Sequence, residues 1–326
     1  MSGAPLLDIS DLRISFKSDT GYMNAVAGVS LSLRPGETVG LVGESGCGKS
    51  VTSLSIMRLL PKTAKIEGSI RFEGKDLLGL KESEVRKYRG NDISMIFQEP
   101  MSALNPVLRI EDQISEPLRM HRKMSKREMH DRVVELLRSV GIPRPEQIAK
   151  EYPHQLSGGM RQRVMIAMAM ACEPKLLIAD EPTTALDVTV QAQILDLLRQ
   201  LQAKNNMALL LITHDLGVVA EMCERVIVMY AGKVVEEGDV RSVFRNPQHP
   251  YTVGLLNSIP KLTGERERLT PIKGNVPSLA NMPVGCRFAP RCPFAKEICR
   301  TEHPPLTKVA AGSRVSCWLA EEAVAQ

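Results

Sequence analysis

A chain of 326 residues is long enough for one large domain and a smaller second unit. Hydrophobic residues make up 43% of it, which suffices for a sizeable core, and 42 Lys and Arg against 37 Asp and Glu leave a formal charge of +5. Because the charges are interspersed and form no basic stripe, we expect a mixed, solvated surface and no nucleic-acid partner.

The sequence offers no candidate for a membrane-spanning helix. Its longest apolar runs, such as 207–212, are far shorter than the ~20 residues that such a helix needs. The N-terminus also lacks the basic and apolar regions of a secretory signal. We therefore expect a cytosolic protein that would act on a membrane by docking onto it.

Short apolar runs alternate with longer helical patterns, which predicts an α/β domain with a largely parallel sheet. The run at 176–179 is continuously apolar, as is typical of a strand buried on both faces. The predicted strands are 38–42, 93–97, 176–179, 208–213 and 225–230.

A helical pattern occupies the middle of the chain. Ser125 and Glu128 form a capping box, and Gly141 is a C-cap. Between them, helical spacing relates Met129, Val133, Leu136, Leu137 and Val140. We expect a helical subdomain at about 99–172, inserted in the α/β core. A further amphipathic helix begins at Val190, and its apolar face consists of Ile194, Leu197, Leu198 and Leu201.

A phosphate-binding loop is predicted directly after the first of these strands. The segment 43–50, GESGCGKS, matches G-x-x-x-x-G-K-[ST] and opens a helix at 50–60. Its backbone N–H groups would face phosphate oxygens, Lys49 would reach the β- and γ-phosphates, and Ser50 would ligate Mg²⁺. The flanking strand and helix argue against a chance Gly-rich turn. The predicted nucleotide ligands here are Gly43, Ser45, Gly46, Cys47, Gly48, Lys49, Ser50 and Val51.

Two carboxylates, Asp180 and Glu181, follow the apolar strand at 176–179. We expect Asp180 to hold Mg²⁺ and Glu181 to polarise the attacking water. Paired acids after a strand also cap turns, and without a phosphate loop upstream that interpretation would be preferred.

A Ser and two Gly open another helix, predicted at 160–171. Taken alone, Ser157, Gly158 and Gly159 would be an ordinary N-cap. Together with the phosphate loop and the carboxylates, in this order, they resemble the signature of ABC ATPases. The resemblance covers about the first 240 residues, and it implies a P-loop ABC-type nucleotide-binding domain with a RecA-like core.

The resemblance also implies roles for single residues. Gln98 resembles the Q-loop glutamine, which in the family senses Mg²⁺ and the transmembrane partner. The segment 185–187, ending in Asp187, resembles the D-loop, and His214 resembles the switch histidine that holds the γ-phosphate. Phe16 is the expected adenine-stacking aromatic, with Tyr22 as the substitute.

In this family the signature of one subunit completes the phosphate-loop site of another, so two copies or two related chains close head to tail on two ATP molecules. The resemblance therefore implies ATP and Mg²⁺ as cofactors and Glu181, His214 and Gln98 as the catalytic set. All motifs of one subunit are present, and we expect a competent ATPase.

The chain after residue 238 is rich in Pro and Cys, and we treat 1–238 as the ATPase domain and 239–326 as an irregular extension. The segment 246–252 (NPQHPYT) and the Pro- and Cys-rich tail resemble the ATPase subunits of bacterial dipeptide and oligopeptide importers. Two segments of the ATPase domain, 152–155 (YPHQ) and 231–232 (AG), carry the same resemblance, and the closest likeness is to the dipeptide-type D subunit.

This second resemblance implies a location and partners. They are a related second ATPase subunit forming a heterodimer, two transmembrane permease subunits and a periplasmic substrate-binding protein, with this chain peripheral on the cytoplasmic face of the inner membrane. Nickel, glutathione or another small solute could replace peptide as cargo. Two alternatives are a soluble ABC ATPase of translation or DNA repair and the ATPase subunit of an exporter. The soluble proteins usually carry two ATPase halves or a long coiled-coil insertion, which this sequence lacks, and the resemblance of the extension to peptide importers argues against an exporter.

Four cysteines crowd into the extension with the spacing C-x5-C-x6-C-x17-C. Four thiolates could hold a [4Fe–4S] cluster or a structural Zn²⁺, and the spacing fits neither a zinc ribbon nor a ferredoxin run. The resemblance to peptide importers favours iron–sulfur, with zinc and unligated thiols as alternatives. The four candidates are Cys286, Cys292, Cys299 and Cys317.

Overall fold

The structure is a computed structural model that describes residues 4–18, 21–98, 103–184, 186–258, 271–309 and 312–320. The chain forms two compact units, each built from separate stretches. The helix-rich unit comprises Met1–Leu6, Leu33–Glu37 and Gly79–Ile212. The phosphate-loop unit comprises Leu7–Ser32, Thr38–Leu78 and Thr213–Gln326. This division does not test the linear boundary at 238, which stays a prediction.

The elements follow each other in α/β order. The strands are β1 (Leu7–Ser18), β2 (Gly21–Leu33), β3 (Thr38–Val42), β4 (Lys65–Phe72), β5 (Lys75–Asp76), β6 (Ile93–Ile96), β7 (Leu176–Asp180), β8 (Ala208–Thr213), β9 (Arg225–Tyr230), β10 (Lys233–Asp239), β11 (Thr307–Lys308) and β12 (Arg314–Val315). The helices are α1 (Lys49–Ile56), α2 (Glu82–Val85), α3 (Ile110–His121), α4 (Lys126–Ser139), α5 (Pro145–Ile148), α6 (Gly158–Ala169), α7 (Val188–Asn205), α8 (Leu216–Met222), α9 (Val240–Arg245), α10 (Pro250–Asn257) and α11 (Glu297–Thr301).

The helix-rich unit contains three neighbouring parallel strands in the order β8-β7-β6. Every residue of β7 and β8 is buried, as their continuous apolar sequences predict. Helices dominate the described residues between 103 and 172. The predicted capping box is present, since Ser125 N donates to Glu128 Oε2 at 2.7 Å and Glu128 N donates to Ser125 Oγ at 3.3 Å. These bonds satisfy two amides at the start of α4.

The phosphate-loop unit contains strands of two sheets. One is ordered β2-β1-β4-β5, and β1 runs antiparallel to β4. The other contributes the order β11-β12-β10-β9-β3, in which β3 and β9 are parallel and the remaining pairs antiparallel. Between Ser10 and Arg13 the β1–β4 register shifts, and Asp11 has a left-handed φ of 47° there. This bulge changes which face the later residues of β1 present.

Several predicted boundaries move by a few residues. The strand expected at 93–97 ends at Ile96, and the helix expected at 50–60 ends at Ile56 because Arg58 takes a left-handed φ of 50°. The helix predicted at 160–171 spans Gly158–Ala169. Glu99 and Ala185, where the predicted subdomain and D-loop begin, lie outside the described residues. Within the described ranges, no helix combines the length and apolar character needed to cross a membrane.

Residues after 238 contribute to the core of the phosphate-loop unit. Tyr251 and Phe288 are buried against Tyr230 of β9, with ring centroids 4.6 to 5.4 Å apart. The carboxylate of Glu236, in β10, accepts hydrogen bonds from the backbone N–H groups of Gln248 at 2.7 Å and His249 at 3.0 Å. These contacts fix the start of α10 and thereby the position of Tyr251.

Candidate functional site

The phosphate loop connects β3 to α1, and its glycines are required by shape. A Cβ on Gly43 would lie 2.2 Å from the carbonyl oxygen of Met229 and 2.7 Å from Cys47 Sγ. Gly48 precedes α1 with a φ of 100°, a conformation that side chains disfavour. Ser45 and Gly46 are exposed at the turn, whereas Ser50 and Val51 lie half-buried in the first turn of α1. The loop therefore has the strand–loop–helix geometry of a phosphate cradle.

Lys49 is buried inside this loop. Its Nζ donates to the carbonyl oxygens of Gly43 at 2.7 Å and Glu44 at 3.1 Å, and lies 3.7 Å from Cys47 Sγ. Burial raises the pKa of the Cys47 thiol more than the neighbouring ammonium lowers it, so the thiol is neutral at pH 7. Lys49 is therefore the positive group that a phosphate entering the loop would meet.

The two predicted carboxylates stand at the end of β7. Asp180 is buried as its last residue, and Glu181 follows with a left-handed φ of 47° and donates its N–H to Ile212 O at 2.8 Å. Glu181 Oε2 accepts hydrogen bonds from Gln98 Nε2 and Thr184 Oγ1, both at 2.9 Å. Two residues of the predicted catalytic set are thus in contact, and Thr184 joins them without having been predicted.

The signature serine and the D-loop aspartate are helix caps. Ser157 Oγ accepts from Met160 N at 3.4 Å before α6, and Asp187 Oδ1 accepts from Val190 N at 3.0 Å before α7. Gly158 is exposed and has no neighbour within 4 Å of a built Cβ. Gly159 is half-buried, and a Cβ there would lie 2.9 Å from Val190 Cγ1. Ser157, Gly158 and Asp187 are exposed, so both helix N-termini are accessible to an anion supplied from outside.

The remaining predicted residues lie in the phosphate-loop unit. His214 is exposed directly after β8, and Asp215 beside it caps α8 through bonds to two backbone N–H groups. Phe16 is half-buried on β1, whereas Tyr22 on β2 is 59% exposed. Phe16 is therefore partly accessible to solvent and Tyr22 largely so.

Residues of the extension touch the phosphate loop, which the sequence analysis did not predict. Glu44 N donates to Tyr251 Oη at 2.8 Å. The carboxylate of Glu44 also forms a bidentate pair with Arg291, at 2.5 and 3.1 Å, and this pairing raises the pKa of the guanidinium. The partners are 247 residues apart, and no local spacing signals such a pair.

The four extension cysteines line one cavity of about 20 Å³, which is room for a water-sized body. Burial raises the pKa of Cys286 to about 11 and also raises the pKa of Cys292 and of Cys317. Nearby backbone N–H groups oppose this rise in the pKa of Cys286, Cys292 and Cys317, and Lys296 N donates a hydrogen bond to Cys299 Sγ at 3.4 Å. Among the described residues, no group of three or more His, Cys, Asp or Glu is arranged to hold a metal ion.

Comparison with known proteins matches both parts of the chain. Residues 26–184 match the family model described as ABC transporter, and residues 235–299 match that of the oligopeptide/dipeptide transporter C-terminal region. The chain is 56% identical to the oligopeptide transport ATP-binding protein AppD and 53% identical to the dipeptide transport ATP-binding protein DppD, both of Bacillus subtilis. These alignments cover 97% of this chain in each case, with 97% of AppD and 95% of DppD.

A solved structure supports the same relationship at the level of the fold. The ATP-binding cassette MJ0796, a dimer in a post-hydrolysis state bound to ADP and Pi, aligns with a TM-score of 0.65 and 30% identity. The alignment covers 72% of this chain and 99% of the cassette. Taken with the phosphate loop, the carboxylates and the signature, these likenesses establish that the chain belongs to the ABC transporter family, among the peptide-transport ATP-binding proteins.

Proposed function

We propose that this chain hydrolyses ATP and couples ATP binding and hydrolysis to the import of dipeptides or oligopeptides. The observation that carries the proposal is Lys49, buried between the carbonyl oxygens of a glycine-shaped loop at the end of a parallel strand. Such a loop offers N–H groups and one ammonium to a polyphosphate.

Each predicted residue receives a role. Phosphates would be held by Gly43, Ser45, Gly46, Cys47, Gly48, Lys49, Ser50 and Val51, and adenine would stack on Phe16. Mg²⁺ would be held by Ser50, Gln98 and Asp180, and His214 would contact the γ-phosphate. Ser157, Gly158, Gly159 and Asp187 would act on the nucleotide of a neighbouring subunit. These are oxygen, amide and cationic groups of the kinds that Mg²⁺ and phosphate prefer.

Glu181 is proposed as the general base. It would accept a proton from the water that attacks the γ-phosphate, so that ATP and water give ADP and phosphate. The hydrogen bonds from Gln98 and Thr184 orient its carboxylate before nucleotide arrives. Gln98 is one of the residues that would hold Mg²⁺, and on leaving Glu181 for that role it would free the Glu181 carboxylate to accept a hydrogen bond from water.

The proposed assembly follows the family resemblance. Two ATPase subunits, this chain and a related second one, would close head to tail and work beneath two permease subunits that receive cargo from a periplasmic binding protein. The chain would be peripheral on the cytoplasmic face of the bacterial inner membrane. One relative is named for oligopeptide transport and another for dipeptide transport, which supports peptide over nickel or glutathione as cargo.

The Glu181→Gln variant tests this proposal. We expect it to bind ATP normally but to accumulate a closed dimer with little phosphate release, because the amide cannot accept the proton of water. Phosphate release and uptake of a labelled dipeptide by cells would be compared with those of wild type and of the exposed control Glu146→Gln. Near-normal phosphate release would remove Glu181 as the base, whereas unchanged uptake alone would remove peptide as the cargo.

We further propose that the extension cysteines hold a [4Fe–4S] cluster, with Zn²⁺ as the alternative. The support is the convergence of Cys286, Cys292, Cys299 and Cys317 on one cavity and the amide N–H groups that would stabilise thiolate charge. A four-iron cluster is larger than this cavity, so the four side chains would have to rotate outwards to receive it. The group would tie four separate points of the extension together, and ATP hydrolysis requires no electron from it.

Metal analysis of anaerobically purified protein tests the cysteine proposal. We expect a brown, oxygen-sensitive chromophore with matching iron and sulfide, reduced in Cys292→Ser and retained in Cys223→Ser, whose cysteine lies outside the cavity. Melting temperature should fall with loss of iron. Colourless wild-type protein with stoichiometric zinc would exclude iron–sulfur, and colourless protein without metal would exclude both.

A further inference from the structure

Two side chains from beyond residue 238 contact the start of the phosphate loop, whose first two residues, Gly43 and Glu44, we call its first limb. Glu44, the residue after Gly43, is held at both ends: its carboxylate pairs with Arg291, and its N–H donates to Tyr251 Oη at 2.8 Å. The Arg291 side chain is only 4% exposed. The Glu44 side chain is 29% exposed, and its bidentate pairing with a buried guanidinium fixes the distance and the orientation of both groups.

The Arg291 side chain is also fixed by contacts with residues other than Glu44. Its guanidinium donates to the carbonyl oxygens of Lys273 at 2.9 Å and Ile272 at 3.2 Å and to Tyr230 Oη at 3.4 Å. It also lies 5.7 Å from the ring centroid of Tyr230 and 5.9 Å from that of Phe288. The guanidinium therefore has little freedom to follow Glu44 if the loop moves, and it acts as a fixed anchor.

Tyr251 is equally fixed. Its ring is fully buried and tilted against Tyr230 at 4.6 Å and Phe288 at 5.4 Å. Burial raises the pKa of the Tyr251 hydroxyl far above its usual range, so it stays neutral and can both donate and accept. The hydroxyl thereby holds one loop N–H in a set direction.

The peptide units fixed in this way are those that hold Lys49. Its ammonium donates to the carbonyl oxygens of Gly43 and Glu44. The Glu44 N–H, which donates to Tyr251 Oη, lies between these two carbonyl groups along the backbone. A displacement of Glu44 would therefore move both the loop and the lysine that is to meet the phosphates.

We propose that Arg291 and Tyr251 are positioning residues for nucleotide binding, which hold the first limb of the phosphate loop and Lys49 in the geometry that receives phosphates. The inference rests on the proposed function only in taking the loop as the ATP site. The extension is then a working part of the ATP site in addition to its proposed metal-binding role.

Equilibrium binding of the fluorescent analogue MANT-ATP with Mg²⁺ to the full chain tests this inference. Loss of a charged, buried hydrogen-bonded pair predicts a Kd about tenfold higher in Arg291→Ala. Arg291→Lys should recover part of the loss, because one ammonium cannot replace a bidentate fork. Tyr251→Phe keeps the ring packing and should weaken binding by a smaller factor.

A double-mutant cycle and a control variant distinguish positioning from stability. Glu44→Gln and Arg291→Ala should each raise the Kd for MANT-ATP. Because both remove the same ion pair, the Kd of the double variant should be no higher than that of the single variant with the higher Kd. Arg314→Ala breaks another pair of the same unit, with Glu237 at 2.6 Å, and should lower the melting temperature without changing Kd. Reversible unfolding raises the apparent Kd by the inverse of the folded fraction, whereas irreversible unfolding only reduces the number of binding sites. Titrations are therefore made well below the melting temperature of each variant, where the folded fraction is close to one and a higher Kd reports the loss of positioning.

The outcomes are decisive in both directions. If Arg291→Ala folds and binds MANT-ATP with the wild-type Kd, the inference is overturned. If Arg291→Ala does not fold, a wild-type Kd in both of the single variants Arg291→Lys and Tyr251→Phe would overturn it. Additive losses in the cycle would overturn it as well. Absence of MANT-ATP binding by the wild type would instead overturn the proposed function.

Discussion

Two glycines of the phosphate loop differ in what surrounds them. Gly43 faces the Met229 carbonyl oxygen, where a built Cβ would approach to 2.2 Å, whereas Gly46 has nothing within 4 Å. Both have positive φ, 153° and 79°. The overlap at Gly43 is with backbone, which cannot rotate away, so the same methyl group should have unequal effects at the two sites.

We expect Gly43→Ala to lower the free energy of unfolding by about 3 kcal/mol or more and to abolish ATP binding. Gly46→Ala should cost only about 1–2 kcal/mol of backbone strain. Chemical denaturation and MANT-ATP titration of both variants would measure this. Equal destabilisation by the two substitutions would contradict the packing argument at Gly43.

At the scale of elements, the N-cap residue Asp187 has two possible roles, one in the stability of α7 and one in ATP hydrolysis. Asp187 caps α7 through Val190 N at 3.0 Å, and this alone would account for an acidic residue there. The proposed role at a neighbouring nucleotide needs something more, namely the charge of the carboxylate. Asn is as good a cap as Asp but carries no charge.

We therefore expect Asp187→Ala to destabilise the protein by about 1 kcal/mol, and Asp187→Asn to preserve stability while lowering ATP turnover. Thermal melts and steady-state phosphate release on both variants measure the two effects. If Asp187→Asn kept full turnover, the residue would be a cap and nothing else.

The elements themselves were predictable where one physical cause dominated. All five predicted strands exist, because each is an apolar run buried on both faces and set between turns. The antiparallel sheet at the N-terminus was not predicted. Its buried residues Leu7, Ile9, Leu12 and Ile14 change parity at the bulge near Asp11, so the period of two that indicates a half-buried strand is broken.

At the scale of the whole molecule, contacts between distant residues set the limit of prediction. The motifs of the ATP site are local in sequence, and the order of the phosphate loop, signature and carboxylates identified the family. The pairing of Glu44 with Arg291 and the convergence of four cysteines on one cavity depend on how the last quarter of the chain folds back, which no spacing rule describes. Pro-rich segments give no period from which such folding can be inferred.

The pairing of Glu44 with Arg291 has a consequence for biosynthesis. A ribosome that has made the phosphate loop must add 247 further residues before Arg291 exists, which takes about 12–50 s at 5–20 residues per second. Throughout this interval the nascent chain carries a nucleotide loop without its anchor. On our account the growing chain acquires full affinity for ATP only when its last quarter has been synthesised and folded, so an unfinished ATPase binds nucleotide about tenfold more weakly than a finished one.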